Sequence, residues 1–410
     1  MRNAYNPALP LVMHIDLNSC FATVEQQARP MLRGRPVAIM NRRTENTSIV
    51  TASYEAKALG VKVGMRYKDA LKLAPGLVAL ESDPAKYRFV YHKLLAIMQD
   101  YSAHVTMKSI DEGVIDLHDS PASITKRDLV DIGHEIKQRL RDEVGCAMRC
   151  NVGISTNRFL AKTAASLHKP DGLDVITAEN LRATLGTLQL TDLTGIAGRN
   201  EHRLNMVGIY TPLEFLDADV ATLQKIVFKS IVGEQWHQRL RGWEVDDRVS
   251  DVKRVGRQYV LEQFDLPRDE IVKRLHHLCE SVGSRLRRQH KAARGVYVYA
   301  KTFDRTYWHA SRMAQLAFRS DHTIYALARQ LFERAPDNIR EIGIHCYELE
   351  DATDGQLSIF ADQIAREQHT TAAIDDINRR YGERTIHAAD TLGTGIYVKQ
   401  KIPFGSTRYL

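Results

Sequence analysis

Three carboxylates from two distant places in the chain could share one chemistry. Lys108-Ser109-Ile110-Asp111-Glu112-Gly113-Val114-Ile115-Asp116 sets two adjacent acids between apolar stretches, with Val105 and Met107 before them and Val114 and Ile115 after. The pattern predicts two short strands with the acids at the bend and Gly113 easing the turn. Neighbouring side chains of an unbroken strand point to opposite faces, so Asp111 and Glu112 can share an ion only where the backbone turns. Near the start, Pro10-Leu11-Val12-Met13-His14-Ile15-Asp16-Leu17 is a second apolar run ending in an acid. Asn18-Ser19 then forms the expected N-cap of a helix from Cys20. If both strands join one sheet, Asp16, Asp111 and Glu112 are pooled. Oxygen clusters of this kind suit hard divalent cations such as Mg²⁺, and a pair of ions activates an attacking hydroxyl and stabilises a leaving phosphate. Taken singly, an Asp at a strand end is commonly a turn residue and an Asp-Glu pair a solvated one, so pattern alone leaves both readings open.

The chain that must position these acids has 410 residues, too many for one ordinary domain. Its 44% hydrophobic share is that of a soluble protein with a full core, and its net charge of +7 favours an anionic partner, nucleic acid being the usual one. Cys20, Cys146, Cys150, Cys279 and Cys346 are too few and scattered for a disulfide framework, and the Cys146/Cys150 pair lacks the second pair a zinc site needs. No apolar run is long enough to span a bilayer and no signal peptide opens the chain, so the expectation is a soluble, cytoplasmic protein with no membrane partner.

Phe21 falls one turn into the first helix, behind Asp16. Residues 23–84 alternate strand-like pieces (36–40 and 48–51) with a helix from about Tyr54, closed by Gly60, on which Tyr54 and Lys57 share a face. Asp128 to Glu143 fits an amphipathic helix through Leu129, Ile132, Ile136 and Leu140. A strand at 150–155 leads into a helix through Phe159, Leu160 and Ala164, which Lys169-Pro170-Asp171-Gly172 breaks. Gly195-Ile196-Ala197-Gly198 precedes a helix to Met206. A composition shift at 249–255 marks a linker. Between Lys253 and Ser320, fifteen Lys or Arg face six Asp or Glu. Strand-like 296–300 and 343–347 sit among helices near 268–288 and 323–333. After an acidic stretch come Gln356-Leu357-Ser358-Ile359-Phe360 and a helix at 371–381 with Ile374, Ile377 and Tyr381 on one face. Read without further context, Phe21 is a core aromatic, Lys57 and Lys169 are surface groups, and the basic stretch is a solvated face.

Ser109-Ile110-Asp111-Glu112, with His14-Ile15-Asp16-Leu17-Asn18-Ser19-Cys20-Phe21 and Tyr54-Glu55-Ala56-Lys57-Ala58-Leu59-Gly60-Val61-Lys62, resembles the Y-family of translesion DNA polymerases. The likeness runs over essentially the whole chain, its motifs in the family's order and spacing, with features of the UmuC and DinB branches. It implies an α+β multidomain right hand: a ferredoxin-like palm (1–22 and 85–175), small fingers (23–84), a helical thumb (176–248), a linker (249–255), an α+β little finger (256–350) and a C-terminal tail (351–410). It further implies error-prone, template-directed addition of deoxynucleotides to a primer 3′ end, for translesion synthesis in DNA repair and SOS damage tolerance.

On the same ground Asp16, Asp111 and Glu112, with the backbone carbonyl of Leu17, would hold two Mg²⁺ ions, Mn²⁺ being the substitute. Cys20, Phe21, Thr51, Tyr54, Lys57 and Lys169 would meet the dNTP, with the Phe21 ring excluding a 2′-hydroxyl by clash. Lys57 stands where many members have Arg, and Asn18 where many have Asp; the UmuC branch shares both. Gly195, Ile196 and Gly198 resemble half of a helix-hairpin-helix, with Ala197 where a second Gly is usual. Arg254, Arg257, Arg294, Lys301 and Arg305 would grip primer-template DNA independently of sequence. Gln356, Leu357, Ile359 and Phe360 look like a sliding-clamp peptide, and the UmuC likeness adds UmuD-like and RecA-like partners and a nucleoid-associated location. Two rivals stand beside this reading: a DNA-bound scaffold that keeps the fold without catalysis, and another phosphoryl transferase on a similar palm, such as a nucleotidyl cyclase.

Overall fold

The computed structural model describes residues 4–121, 126–247, 251–263, 265–352 and 361–398, with side chains from 369 onward in the last stretch. The described chain divides into two compact units, one ending at 247 and one beginning at 251. Both mix helices with sheets, so the fold is α+β.

The first unit holds eight strands: β1 (Val12–Leu17), β2 (Val37–Met40), β3 (Ile49–Ala52), β4 (Val78–Glu81), β5 (His104–Met107), β6 (Glu112–Asp116), β7 (Cys150–Ser155) and β8 (Leu173–Val175). Five form one sheet in the order β5-β6-β1-β7-β8, and three form another in the order β3-β2-β4. β1 is therefore central, flanked by antiparallel β6 and β7. Its residues are nearly all buried, as the continuous apolar run requires. Helices Cys20–Ala28, Pro84–Gln99 and Leu129–Glu143 pack on the five-stranded sheet, with Val37 and Ile39 of β2 in the same core; the last helix buries Ile132, Ile136 and Leu140 at its amphipathic spacing and is N-capped by Asp128, which accepts from the Val130 amide at 2.8 Å.

Two glycines show how tightly the strands are covered. A Cβ on Gly153 of β7 would stand 2.0 Å from the Ala161 carbonyl and 2.2 Å from the Ala165 amide, so helix Arg158–Leu167 rests directly on the strand. Gly113 was expected to ease the bend. It lies inside β6 instead, where a Cβ would meet Met107 Sδ at 2.6 Å and Met98 Cε at 2.8 Å. Its smallness serves packing, and the turn is made by Lys108 to Asp111, whose ends close through the Lys108 and Ser109 amides on the Glu112 carbonyl.

Helix Arg158–Leu167 turns Phe159, Leu160 and Ala164 into a second cluster with Leu193, Ile196, Phe215 and Trp236 of the segment that follows. Thus one helix joins the central sheet to the 176–247 segment.

The second unit is a four-stranded antiparallel sheet of β9 (Arg254–Val260), β10 (Lys291–Thr302), β11 (Tyr307–Phe318) and β12 (Ile339–Asp351), in the order β11-β10-β12-β9, packed by helices Arg268–Arg288 and Asp321–Phe332. Val296, Val298 and Ala300 face these helices, while Tyr297, Tyr299 and Lys301 alternate onto the open side. There Tyr297 stacks on His345 (4.4 Å) and His309 (5.2 Å), and Tyr299 on Tyr307 (5.5 Å). The strands begin earlier and run longer than the sequence reading expected, and β9 takes in the last two residues of the expected linker.

The segment read as a C-terminal tail is, in its described part, built into this unit. Helix Ala361–Tyr381 is longer than the 371–381 expected, and Asp375 on it accepts from Arg287 Nε (2.6 Å) and Nη2 (2.9 Å). Tyr381, grouped by the pattern with Ile374 and Ile377 on one face, is exposed. Beyond it the chain crosses helix Arg268–Arg288: Glu280 accepts from Arg384 and from the Ala388 amide (2.9 Å), His277 Nδ1 meets Thr394 Oγ1 (2.8 Å), and Val398 enters the core.

His277 makes this strap acid-sensitive. Burial, aided by Arg384 and Arg257, pushes its imidazole down to about 2. The unfolded ring titrates near 6.5, so its contribution is complete above that pH and is lost as pH falls from there toward 2. Below 6.5 the second unit should lose about 1.4 kcal/mol per pH unit from this group. His277→Gln, which cannot ionise, should flatten the pH dependence of denaturant unfolding below pH 6.5 by that slope and leave it unchanged above; an unchanged slope between pH 6.5 and 5 would contradict the assignment.

Candidate active site

The sheet register brings the acids to one corner. Asp16 and Glu112 are direct cross-strand partners on β1 and β6, so their carboxylates project from the same face. Asp111, the last residue of the bend, accepts at its carbonyl from the Leu17 amide (2.8 Å), which ties it to the end of β1. Its carboxylate takes the Ser109 hydroxyl. Burial pushes the Asp111 carboxyl up; the Ser109 bond opposes this, and the charges of Asp16 and Glu112 add to it. Burial acts the same way on Glu112, but there His14 Nε2 (3.3 Å) and Lys162 Nζ (2.6 Å) outweigh it and hold the carboxyl at about 2.

Cations ring the corner. Lys169 Nζ donates to Asp16, and Lys57 Nζ donates to Ser19 Oγ at 2.8 Å while lying 4.5 Å from the Tyr54 ring centre. Burial and Lys169 push the Lys57 ammonium down, against Asp16, and burial together with Asp16 pushes the Tyr54 phenol up. Lys57 and Tyr54 reach this point because Ser53 N-caps helix Tyr54–Ala58, its hydroxyl accepting from the Ala56 amide. Ser19, with Asn18, was expected to cap the first helix through a side-chain bond. It occupies the N-cap with φ 45°, makes no such bond, and gives its oxygen to Lys57.

Phe21 is buried with its ring parallel to Tyr87 at 4.2 Å, and the Tyr87 hydroxyl donates to Glu25 (3.3 Å). Cys20 is buried beside the acids; burial, with Asp111 and Asp16, pushes its thiol well up, so it stays protonated. Thr51 is half-buried on β3 opposite Ile39.

Among the described residues no three His, Cys, Asp or Glu groups close into a metal cluster; each acid is held by a hydroxyl, an imidazole or an ammonium. The donor set fits a hard divalent ion all the same, being carboxylate oxygen throughout, with Asp111 buried against two like charges that a cation would relieve.

The expected DNA contacts do not all face outward. Gly195 has φ 103° and packs on Trp236, and Gly198 opens helix Gly198–Asn205 with free space around it. Ile196 is buried and its amide already donates to Leu193, so neither its side chain nor its N–H is placed to meet a phosphate. Arg254 and Arg305 are exposed, Lys301 is exposed and paired with Glu341 (2.8 Å), and Arg294 is paired with Glu350 (3.1 Å). Arg257 corrects the expectation most clearly. It shares the helix-packed face of β9 with Val255 and Tyr259, donates to Ser281 and to the Val398 carbonyl (3.1 Å), and burial pushes its guanidinium down to about 10. Gln356 to Phe360 lie outside the described residues.

Sequence reasoning missed His14, Lys162 and Asn151. His14 precedes Asp16 by two in a strand and so shares its face; Lys162 interrupts an apolar helix face two turns before Lys169. Those spacings were the available signals.

Residues 15–166 match the model of the impB/mucB/samB family, and residues 252–359 match that of the impB/mucB/samB family C-terminal domain. The DNA polymerase IV of Moorella thermoacetica is 34% identical over 403 residues, 94% of this chain and 97% of that protein. That of Pelotomaculum thermopropionicum is 30% identical, covering 93% and 95%. Among solved structures, a Y-family DNA polymerase chimera of Dbh and Dpo4 segments matches with a TM-score of 0.69, and an insertion ternary complex of Dbh DNA polymerase with 0.56; each is 22% identical and covers 82% of this chain and 98% of its own. No helix among the described residues is long and apolar enough to cross a membrane.

Proposed function

Because the chain belongs to the impB/mucB/samB family and is a Y-family, DNA-directed DNA polymerase, we propose that it extends primers past damaged template bases by two-metal nucleotidyl transfer at the Asp16–Asp111–Glu112 corner. The observation that carries this reading is the cross-strand pairing of Asp16 with Glu112 beside Asp111, ringed by Lys57 and Lys169. Asp16, Asp111, Glu112 and the Leu17 carbonyl would hold two Mg²⁺ ions, which when bound activate the primer 3′-hydroxyl and neutralise the departing pyrophosphate.

The chain's own groups do the rest. Lys57, Tyr54 and Lys169 receive the triphosphate, Lys169 leaving Asp16 for phosphate oxygen as the nucleotide enters. Lys162 and His14 keep Glu112 ionised and aligned. Cys20 and Thr51 line the nucleotide's approach, and Phe21, stiffened by Tyr87, lies beneath the sugar and rejects a 2′-hydroxyl. Gly195 and Gly198 in a thumb at 176–248, Arg254 at the end of the 249–255 linker, and Arg294, Lys301 and Arg305 in a little finger at 256–350 each meet the duplex through its phosphates. Gln356, Leu357, Ile359 and Phe360 dock on a sliding clamp, and the likeness of Lys57 and Asn18 to the UmuC branch supports UmuD-like and RecA-like partners in SOS damage tolerance at the nucleoid.

Translesion synthesis is tested by primer extension through one abasic site with Mg²⁺. The expected result is full-length product from the lesion template at a rate within about a hundredfold of the intact one, the scale on which a site discriminates by fit alone. A complete stop one nucleotide before the lesion, with intact template fully copied, overturns the translesion role.

A further inference from the structure

We infer that Asn18 is a positioning residue for Lys169, acting through two buried amides that tie the end of β1 to the loop carrying that ammonium. The inference rests on Lys169 meeting the triphosphate. Lys169 follows helix Arg158–Leu167 in a turn that ends with Asp171 at φ 59° and Gly172. A lysine on such a turn has no strand ladder to fix its direction.

The amides supply the fixing. Asn18 Oδ1 accepts from the Asp171 amide at 2.8 Å, Asn18 Nδ2 donates to Asn151 Oδ1 at 2.8 Å, and Asn151 Nδ2 donates to the His168 carbonyl at 2.9 Å. The bonds therefore grip the chain immediately before Lys169 and two residues after it. Asn18 is 2% exposed and Asn151 fully buried, so water cannot take over a lost partner. Asn18 is itself held by the backbone, its amide donating to the Arg149 carbonyl (2.9 Å) and its carbonyl accepting from Thr23 Oγ1 (2.7 Å). A Cβ on Gly172 would stand 2.2 Å from the His168 carbonyl and 2.9 Å from Asn151 Nδ2, which shows how closely the turn is folded onto the relay. Lys137, itself buried, and Arg141 and Arg149 gather on the Asp171 carboxylate at 3.3, 3.5 and 3.6 Å.

The relay also gives a reason for Asn at 18. It needs an acceptor toward the Asp171 amide and a donor toward Asn151 Oδ1, and an amide provides both. An Asp would keep the first bond but set oxygen against oxygen at the second; turning the Asn151 amide to relieve this would take its donor from His168.

The test is steady-state single-nucleotide insertion by the full chain with Mg²⁺, with thermal unfolding as a control. Asn18→Ala should raise the KM for dNTP about tenfold with kcat changed less than about threefold, and Asn18→Asp should fall between it and the wild type. In a Lys169→Ala background, Asn18→Ala should add less than about twofold, because the residue acts only through that lysine. Asn151→Ser should repeat the pattern, and serves if Asn18→Ala does not fold. Full multiplication of the two losses, or a fall in kcat at unchanged KM, overturns the inference. Lys169→Ala with an unchanged KM removes the reading of Lys169 and this inference together; a raised KM in Lys169→Ala but not in Asn18→Ala removes this inference alone.

Discussion

Asp111→Asn should reduce primer extension at least about a thousandfold, roughly 4 kcal/mol of transition-state stabilisation, while binding to primer-template stays within about twofold. The substitution keeps shape and removes the charge that the proposed cations need. It should also leave the free protein no less stable. Burial raises the Asp111 carboxyl, and Asp16 and Glu112 add to the rise, so at neutral pH the ionised group is held at a cost to the folded state. The sign follows from linkage: a carboxyl raised on folding favours the folded state less as pH climbs through its value, and Asn removes that penalty. Thermal unfolding without metal should therefore give an equal or higher midpoint for the variant. A lower midpoint with activity retained would place Asp111 among structural residues.

Phe21→Ala should open the site to ribonucleotides. If the ring excludes a 2′-hydroxyl by clash, its removal should raise the kcat/KM for rNTP relative to dNTP on the order of a hundredfold, the scale at which a packed pocket discriminates. Phe21 is also a core residue stacked on Tyr87, so truncation should cost about 3–5 kcal/mol of stability. Phe21→Leu separates the two effects, since it keeps most of the buried volume while giving up the flat ring. A selectivity change that tracks stability across Phe21→Ala and Phe21→Leu would mean that the ring only fills space. Competition between rNTP and dNTP on one template reads the ratio directly.

The acids were legible because each ends or follows an apolar run, and a period of two with a break says which way they point. Their neighbours were less so. Lys162 looks like any lysine on a helix until Gly153 brings that helix onto β7, and closeness of backbones is not written in polarity. Arg257 was misread because composition was weighed above alternation; with Val255 and Tyr259 it follows the period-two face toward the helix. The strands of the second sheet were read too short: 296–300 and 343–347 took in Tyr297, Tyr299, His345 and Tyr347 of its open side, with Tyr347 over Gly295 and Tyr299 over Gly343, but stopped at charged residues such as Arg294, Lys301, Glu341 and Glu348. Residues 384–398 follow no period at all. They are held by polar contacts to Glu280, His276 and His277 and by Val398 in the core, each specific in space and silent in sequence.

The most direct test of the polymerase corner is single-nucleotide insertion by the purified chain with Mg²⁺, offering each of the four dNTPs opposite each of the four template bases. The account predicts insertion in all four template contexts, favouring the complementary dNTP by a margin of on the order of tenfold to a thousandfold, the range open to a site that checks the pair only loosely. Primer-template binding without insertion of any nucleotide, or insertion indifferent to the template base, would contradict it.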